Sequence, residues 1–180
     1  MNWADWLSIS RIVITPLLLF LLWRDQGWTL YAAAVFTLAA MTDGLDGYLA
    51  RRQRATSHGV WLDLAADKVL VLGTLAMMAA LRIIPVSIPL LISGREVLVM
   101  GLRLHLQRRG VLLPADRWGK VKMAVLCLAI TGLLLAQVTP TPILPRGPAY
   151  AVLLAGTTLT LLSGANYGLK TWFMLRSERR

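Results

Sequence analysis

Asp43-Gly-Leu-Asp46-Gly47-Tyr-Leu-Ala50-Arg51 and, seven residues further on, Gly59-Val-Trp-Leu-Asp63-Leu-Ala-Ala-Asp67 decide how this chain is read. Four of its nine acidic residues fall within these 25 positions, in a sequence that is otherwise 57% hydrophobic. A carboxylate in apolar surroundings is costly unless it is paired, binds a cation or faces water. Four of them concentrated between apolar segments imply a site for polyvalent cations.

Working outward, the 180 residues have a mean hydropathy of +0.62, too apolar for an ordinary water-soluble domain. Uncharged runs cover 26–42, 123–145 and 147–169, with shorter ones at 12–23, 69–81 and 83–94. A helix crossing ~30 Å of hydrocarbon needs about 20 residues, so the short runs become spans only when extended through neighbouring charges. The expected fold is an all-α integral membrane protein of six transmembrane helices, near 5–23, 28–50, 60–81, 85–107, 119–138 and 148–173, forming a single domain over 1–180. Pro85, the Pro140/Pro142/Pro145/Pro148 cluster and the Arg-rich stretches supply the breaks. Pro16 falls inside the first span, where a membrane helix tolerates it. No cleavable signal peptide is expected, because the first residues lack a positive segment and no small-residue cleavage site follows. The lone cysteine, Cys127, excludes an internal disulfide framework and reads as a packing residue.

The basic residues orient these spans. Arg51, Arg52, Arg54, Arg108, Arg109, Arg117, Lys120, Lys170, Arg176, Arg179 and Arg180 fall in or beside alternate connections and the C-terminus, whereas the other connections hold only Arg24, Arg82 and Arg146. The positive-inside rule then puts both termini in the cytoplasm. The net charge of +10 is thus a topology signal, strengthened by anionic headgroups on the same face. It does not signal nucleic acid, since no basic soluble domain exists to carry one. With alternating helix directions, the ionisable residues inside the spans all lie in their cytoplasmic halves. That asymmetry describes a polar cavity open to the cytoplasm and roofed by hydrocarbon.

Spacing sharpens the chemistry. Asp43 and Asp46 are three residues apart, Asp63 and Asp67 four, so each pair shares a helical face. The short link between them predicts antiparallel neighbours whose acidic faces converge. Oxygen-only ligands suit Mg²⁺, Mn²⁺ or Ca²⁺ rather than zinc. Four carboxylates can share two such ions about 3.5–4 Å apart, an arrangement suited to phosphoryl displacement. Gly47 and Gly59 remove side chains where a ligand must approach the backbone, and Arg51 can hold a phosphate bidentately.

The pattern carried by Asp43, Asp46, Gly47, Ala50, Arg51, Gly59, Asp63 and Asp67 resembles the signature of the CDP-alcohol phosphotransferase family, with every position filled. The resemblance implies a six-helix membrane enzyme, commonly a homodimer, that transfers a phosphatidyl or related group from a CDP-linked lipid to an alcohol and releases CMP. It also implies two divalent cations, Mg²⁺ or Mn²⁺, held by Asp43, Asp46, Asp63 and Asp67, with Asp67 as catalytic base. The CDP-lipid would bind near Asp46, Gly47, Ala50, Arg51 and Gly59. The blocks Leu62 to Lys68, Gly94 to Arg103, Gly119 to Lys122 and Leu159 to Tyr167 resemble the branch whose substrates are CDP-diacylglycerol and sn-glycerol 3-phosphate. Asp5, Ser8, Leu64, Met100, Leu104 and Met123 depart from that branch's usual residues.

The residues themselves agree on the acceptor's charge. Arg11, Arg95, Arg103, Lys120 and Lys122 are cations at matching depth on three helices and suit a phosphate-bearing acceptor. Arg103 and Lys122 have snorkelling as an alternative role, and Arg95 an internal ion pair with Glu96. Inositol phosphate, phosphatidylglycerol and serine are the competing acceptors, the last disfavoured by the cations. A divalent-cation transporter is the alternative of another class; it calls for polar side chains through the whole thickness, which 69–81 and 123–138 hardly supply. The expected location is the inner (cytoplasmic) membrane, with membrane lipids as surroundings.

Overall fold

The computed structural model describes the backbone of residues 3–24, 30–49, 57–108, 118–138 and 142–177, and their side chains except at 3–9, 43–49, 57–67, 103, 105, 107–108, 118–120, 170 and 172–177. Its regular elements are six α-helices, and no strand occurs among the described residues: α1 (Trp3–Arg24), α2 (Leu30–Leu49), α3 (Ser57–Ala80), α4 (Ser87–Arg108), α5 (Trp118–Leu135) and α6 (Arg146–Ser177). The expected all-α fold and helix order hold. Helix α6 outlasts its expected end at 173 because no proline follows Pro148, and α4 starts at Ser87 because Pro85 belongs to the preceding turn.

That turn has a specific construction. After α3, Ile83 N–H bonds back to the Met78 carbonyl at 2.9 Å and Arg82 N–H to the Ala79 carbonyl at 3.0 Å. This nested pair caps a helix whose next residue is left-handed, a place where glycine is favoured. Here the left-handed residue is Arg82, at φ 58°. A residue with a Cβ in that conformation costs about 1 kcal/mol.

The helices pack as a ring in the order α1, α3, α4, α6, α5, α2 and back to α1, with α3 also touching α5 across it. Sequence neighbours are therefore not always neighbours in space. The core gathers at one end, from Leu18 and Leu22 of α1, Phe36 of α2, Leu75 and Met78 of α3, Ile92 of α4, Leu133 of α5 and Leu153 of α6. These lie in the late halves of odd-numbered helices and the early halves of even-numbered ones. Such a pattern requires directions that alternate along the chain, so that α1 and α3 run in the same sense, as do α4 and α6.

Outward faces are apolar too. Val13, Tyr31, Val69, Leu98, Leu128 and Leu162, one from each helix, are each at least 51% exposed. Helices apolar on both faces are those of a membrane bundle. Among the described residues, Arg146–Leu169 alone is long and apolar enough by itself to cross a membrane, with mean hydropathy 1.3. Shorter apolar helical stretches among the described residues are Leu30–Thr42, Lys68–Ala80 and Val121–Leu135.

Polar side chains within this scaffold find partners close by. Thr15, Thr74, Thr157, Thr160 and Thr171 each donate to the carbonyl four residues back, at 2.7–3.0 Å. Thr37 and Thr131 join α2 to α5 at 3.2 Å. Helices α5 and α6 approach through small residues: a Cβ on Gly132 would sit 3.2 Å from that of Ala149, and one on Gly156 would sit 3.1 Å from Leu126 Cδ2 and 3.2 Å from Val125 Cγ1. Gly156→Leu is expected to destabilise the detergent-solubilised protein by about 1–3 kcal/mol through overpacking, seen as a lowered Tm, whereas a leucine at the unobstructed Gly94 should lower it less.

Candidate active site

Asp43, Asp46 and Gly47 occupy the final turns of α2, and Gly59, Asp63 and Asp67 the first turns of α3. Continuous helix through both segments keeps each aspartate pair on one face. The side chains of all four aspartates lie outside the described residues, as do Ala50 and Arg51 entirely. Among the described residues α2 and α3 share no extensive contact, and each packs on α1 and α5; the turns where their acidic faces were expected to converge lie among the side chains outside the described residues.

Immediately after Asp67, the side chains become explicit. Lys68 Nζ lies 2.9 Å from Glu96 Oε2, while Arg95 Nη1 at 2.7 Å and Lys122 Nζ at 2.5 Å both donate to Glu96 Oε1. One carboxylate from α4 thus gathers cations from α3, α4 and α5. The side chains of Lys122, Arg95 and Glu96 are only 7%, 10% and 14% exposed, so this knot is largely screened from its surroundings. Helix α6 completes it. Arg95 Nη2 donates to Ser163 Oγ at 2.9 Å, and the Arg95 stem lies over Gly164, where an added Cβ would be 2.7 Å from Cγ. Only glycine leaves that passage open.

Among the described residues the knot is not electrically balanced. Three cations meet one anion there, a formal excess of two positive charges just after the aspartate segment of α3 in sequence. Two buried polar atoms in this part of the bundle, Arg95 Nε and Tyr167 Oη, have no hydrogen-bond partner among the described residues. Tyr167 follows Ser163 by one turn of α6. Buried donors of this kind require explanation, and an anionic ligand supplies acceptors for both.

Of the five cations read from the sequence for an acceptor phosphate, Arg95 and Lys122 are brought together by Glu96. Arg11 is 1% exposed on α1. Thr15, one turn further along, would meet a Cβ on Gly73 at 3.8 Å, so with α1 and α3 running in the same sense Arg11 stands near the level of Val69. The side chains of Arg103 and Lys120 lie outside the described residues, though their helices carry them toward the same polar end. The internal ion pair weighed for Arg95 is present. Sequence reasoning did not find Lys68, Ser163, Gly164 or Tyr167 as parts of the cluster. The available signal was Glu96 itself, the one acid of α4 among its cations. Leading away from Lys68, an apolar groove of about 680 Å³ runs between α3 and α4 past Leu72, Gly73, Ala76 and Leu90 to Val86, with Ser93 the other polar residue on its wall.

A bundle of six helices with apolar outer faces, carrying two aspartate pairs in sequence next to a cluster that is cationic among the described residues, has the features of the transferase family that its sequence resembles. This chain belongs to the CDP-alcohol phosphatidyltransferase family, whose model matches residues 1–165. It is therefore a transferase. A protein of Pseudomonas fluorescens named CDP-diacylglycerol--glycerol-3-phosphate 3-phosphatidyltransferase is 33% identical over 190 residues, covering 100% of this chain and 95% of that one. The protein of the same name in Bacillus subtilis (strain 168) is 29% identical, covering 98% of each. A probable phosphatidylglycerophosphate synthase of Mycobacterium tuberculosis (strain ATCC 25618 / H37Rv) is 35% identical over 92% of this chain and 79% of its own length.

Two substitutions test the cluster. Glu96→Gln removes the shared anion and is expected to destabilise the protein by about 3 kcal/mol, measured as a fall in Tm that Glu96→Asp only partly reproduces. Gly164→Val drives the Arg95 stem aside; transferase activity should fall at least tenfold, about 1.4 kcal/mol in the barrier, with a smaller change in Tm than for Glu96→Gln.

Proposed function

We propose that this transferase moves the phosphatidyl group of CDP-diacylglycerol to sn-glycerol 3-phosphate, forming phosphatidylglycerophosphate and CMP in phospholipid biosynthesis. The observation that carries the reading is the Glu96 cluster: its two positive charges in excess among the described residues suit a phosphate-bearing acceptor, and Lys68, the residue after Asp67, ties it to the aspartate segment of α3. The names of the relatives support the same substrates.

In this reading the six helices are membrane spans, both termini lie in the cytoplasm, and the site opens to the cytoplasm from the inner membrane. Alternating helix directions, the apolar exterior and the basic polar end support that arrangement. The working form is proposed to be a homodimer among membrane lipids, as the family resemblance implies.

The donor set fits the divalent cations that the family implies, because it is all carboxylate and helical backbone keeps each pair on one face. Asp43, Asp46, Asp63 and Asp67 would hold two Mg²⁺ or Mn²⁺ ions, which when bound neutralise the diphosphate and ease the departure of CMP. Asp46, Gly47, Ala50, Arg51 and Gly59 bind the CDP part, and the groove leading from Lys68 takes an acyl chain. Arg11, Arg95, Arg103, Lys120 and Lys122 hold the acceptor phosphate, with the Tyr167 hydroxyl and Arg95 Nε–H available to its oxygens. Asp67 takes the proton of the 1-hydroxyl. That oxygen forms a bond to the phosphorus carrying diacylglycerol as the bond from phosphorus to CMP breaks, so the proton ends on Asp67 and the charge on CMP.

Purified protein given CDP-diacylglycerol, Mg²⁺ or Mn²⁺, and labelled glycerol 3-phosphate, inositol phosphate, phosphatidylglycerol or serine in parallel is expected to form lipid product with the first alone. Product from another acceptor in its place would reassign the substrate. Asp67→Asn should lower turnover about 10³-fold with Tm retained; near-normal turnover would point to a different base. Lys122→Gln is expected to raise the KM for glycerol 3-phosphate more than that for CDP-diacylglycerol.

A further inference from the structure

Arg24, Arg82 and Arg146 are the only basic residues in the connections assigned to the non-cytoplasmic side, and two of the three line one cavity. It has a volume of about 730 Å³ and sits where the turn after α3 meets the start of α6. Asp63 is sixteen residues earlier on α3, about 24 Å along the helix axis, so the cavity lies well away from the aspartates.

Three features give it a chemical character. First, Arg82 holds its left-handed backbone at the position where glycine would be free of strain. Its side chain makes no hydrogen bond or ion pair with a described residue. Strain kept at such a position points to a use for the side chain. Second, Arg146 donates Nη2 to the Ile83 carbonyl at 2.7 Å, which pins its guanidinium to the cavity wall, and the first turn of α6 adds the partial positive charge of a helix N-terminus. Third, no acidic residue lines the cavity among the described residues; its other walls are apolar, from Ala79, Ile84, Pro85, Val86 and Tyr150.

Two cations with no counter-charge among the described residues, set against an apolar wall on helices with apolar outer faces, match an amphiphilic anion. We propose that this cavity binds an anionic phospholipid of the non-cytoplasmic leaflet, with Arg82 and Arg146 on the headgroup phosphate and an acyl chain along the Ile84 to Val86 wall. The inference does not depend on which acceptor the transferase uses.

The test is thermal unfolding of the full chain in uncharged detergent micelles, alone or with dioleoylphosphatidylglycerol, dioleoylphosphatidylcholine or inorganic phosphate at equal phosphate concentration. Arg82→Gly removes the cation while relieving the backbone, so without lipid it should unfold at the wild-type temperature or above. Phosphatidylglycerol is expected to raise the wild-type Tm by about 4 °C, Arg82→Gly to lose at least half of that rise, and Arg82→Lys to keep most of it. Transferase activity of Arg82→Gly in detergent should stay within twofold of wild type. An equal rise in Arg82→Gly would overturn the proposal, as would an equal effect of phosphatidylcholine. A rise reproduced by inorganic phosphate would assign the cavity to a free anion instead.

Discussion

Polar groups inside this bundle must be satisfied by the bundle itself. Large hydrophobic side chains are exposed on all six helices, and apolar surroundings of the kind such faces suit offer polar groups no partner. Two solutions follow. Hydroxyls turn back onto their own helices, as Thr15, Thr74, Thr157 and Thr160 do, which satisfies them without linking anything. Charges need more than this: Glu96 takes Arg95 from its own helix and reaches across to Lys68 and Lys122 on two others.

That difference makes Glu96 central. Its two oxygens accept from Lys68, Arg95 and Lys122, and Arg95 continues to Ser163. Four helices therefore meet through one carboxylate, at the end of the bundle where hydrocarbon packing is sparse. The same arrangement leaves cations in excess, so the interaction that holds these helices also prepares a place for an anion. Structural and chemical roles coincide because both need charge fixed in a poorly hydrated place. The groove starting at Lys68 then lets an apolar substrate tail approach the same end from the side.

Most of the fold was legible in the sequence because membrane-type helices announce themselves by long uncharged runs and by breaks at proline and arginine. The helix at Leu30–Leu49 and the one at Trp118–Leu135 lie close to the limits that these signals set. The sharing of faces within Asp43/Asp46 and Asp63/Asp67 was equally readable, since helical periodicity alone fixes it. The pairing of helices was not. A short link suggested that α2 packs on α3, but small residues decide who approaches whom: Gly73 admits Thr15 and Leu19 of α1 to α3, so α1 takes that neighbour's place. Ser163 and Gly164 escaped attention for a related reason. Their value lies in accommodating Arg95, 68 residues away in the chain, and no local pattern encodes such a distance.

The order of helices around the ring has a consequence for biogenesis. Among the described residues α1 packs on both α2 and α3, Lys122 of α5 reaches Glu96 of α4, and α6 then adds Ser163 to Arg95. A nascent chain therefore carries the aspartate segments long before Ser163 can steady Arg95. Helix α6 acts as a keystone: the cluster around Glu96 is complete only once that helix stands beside α4 and α5.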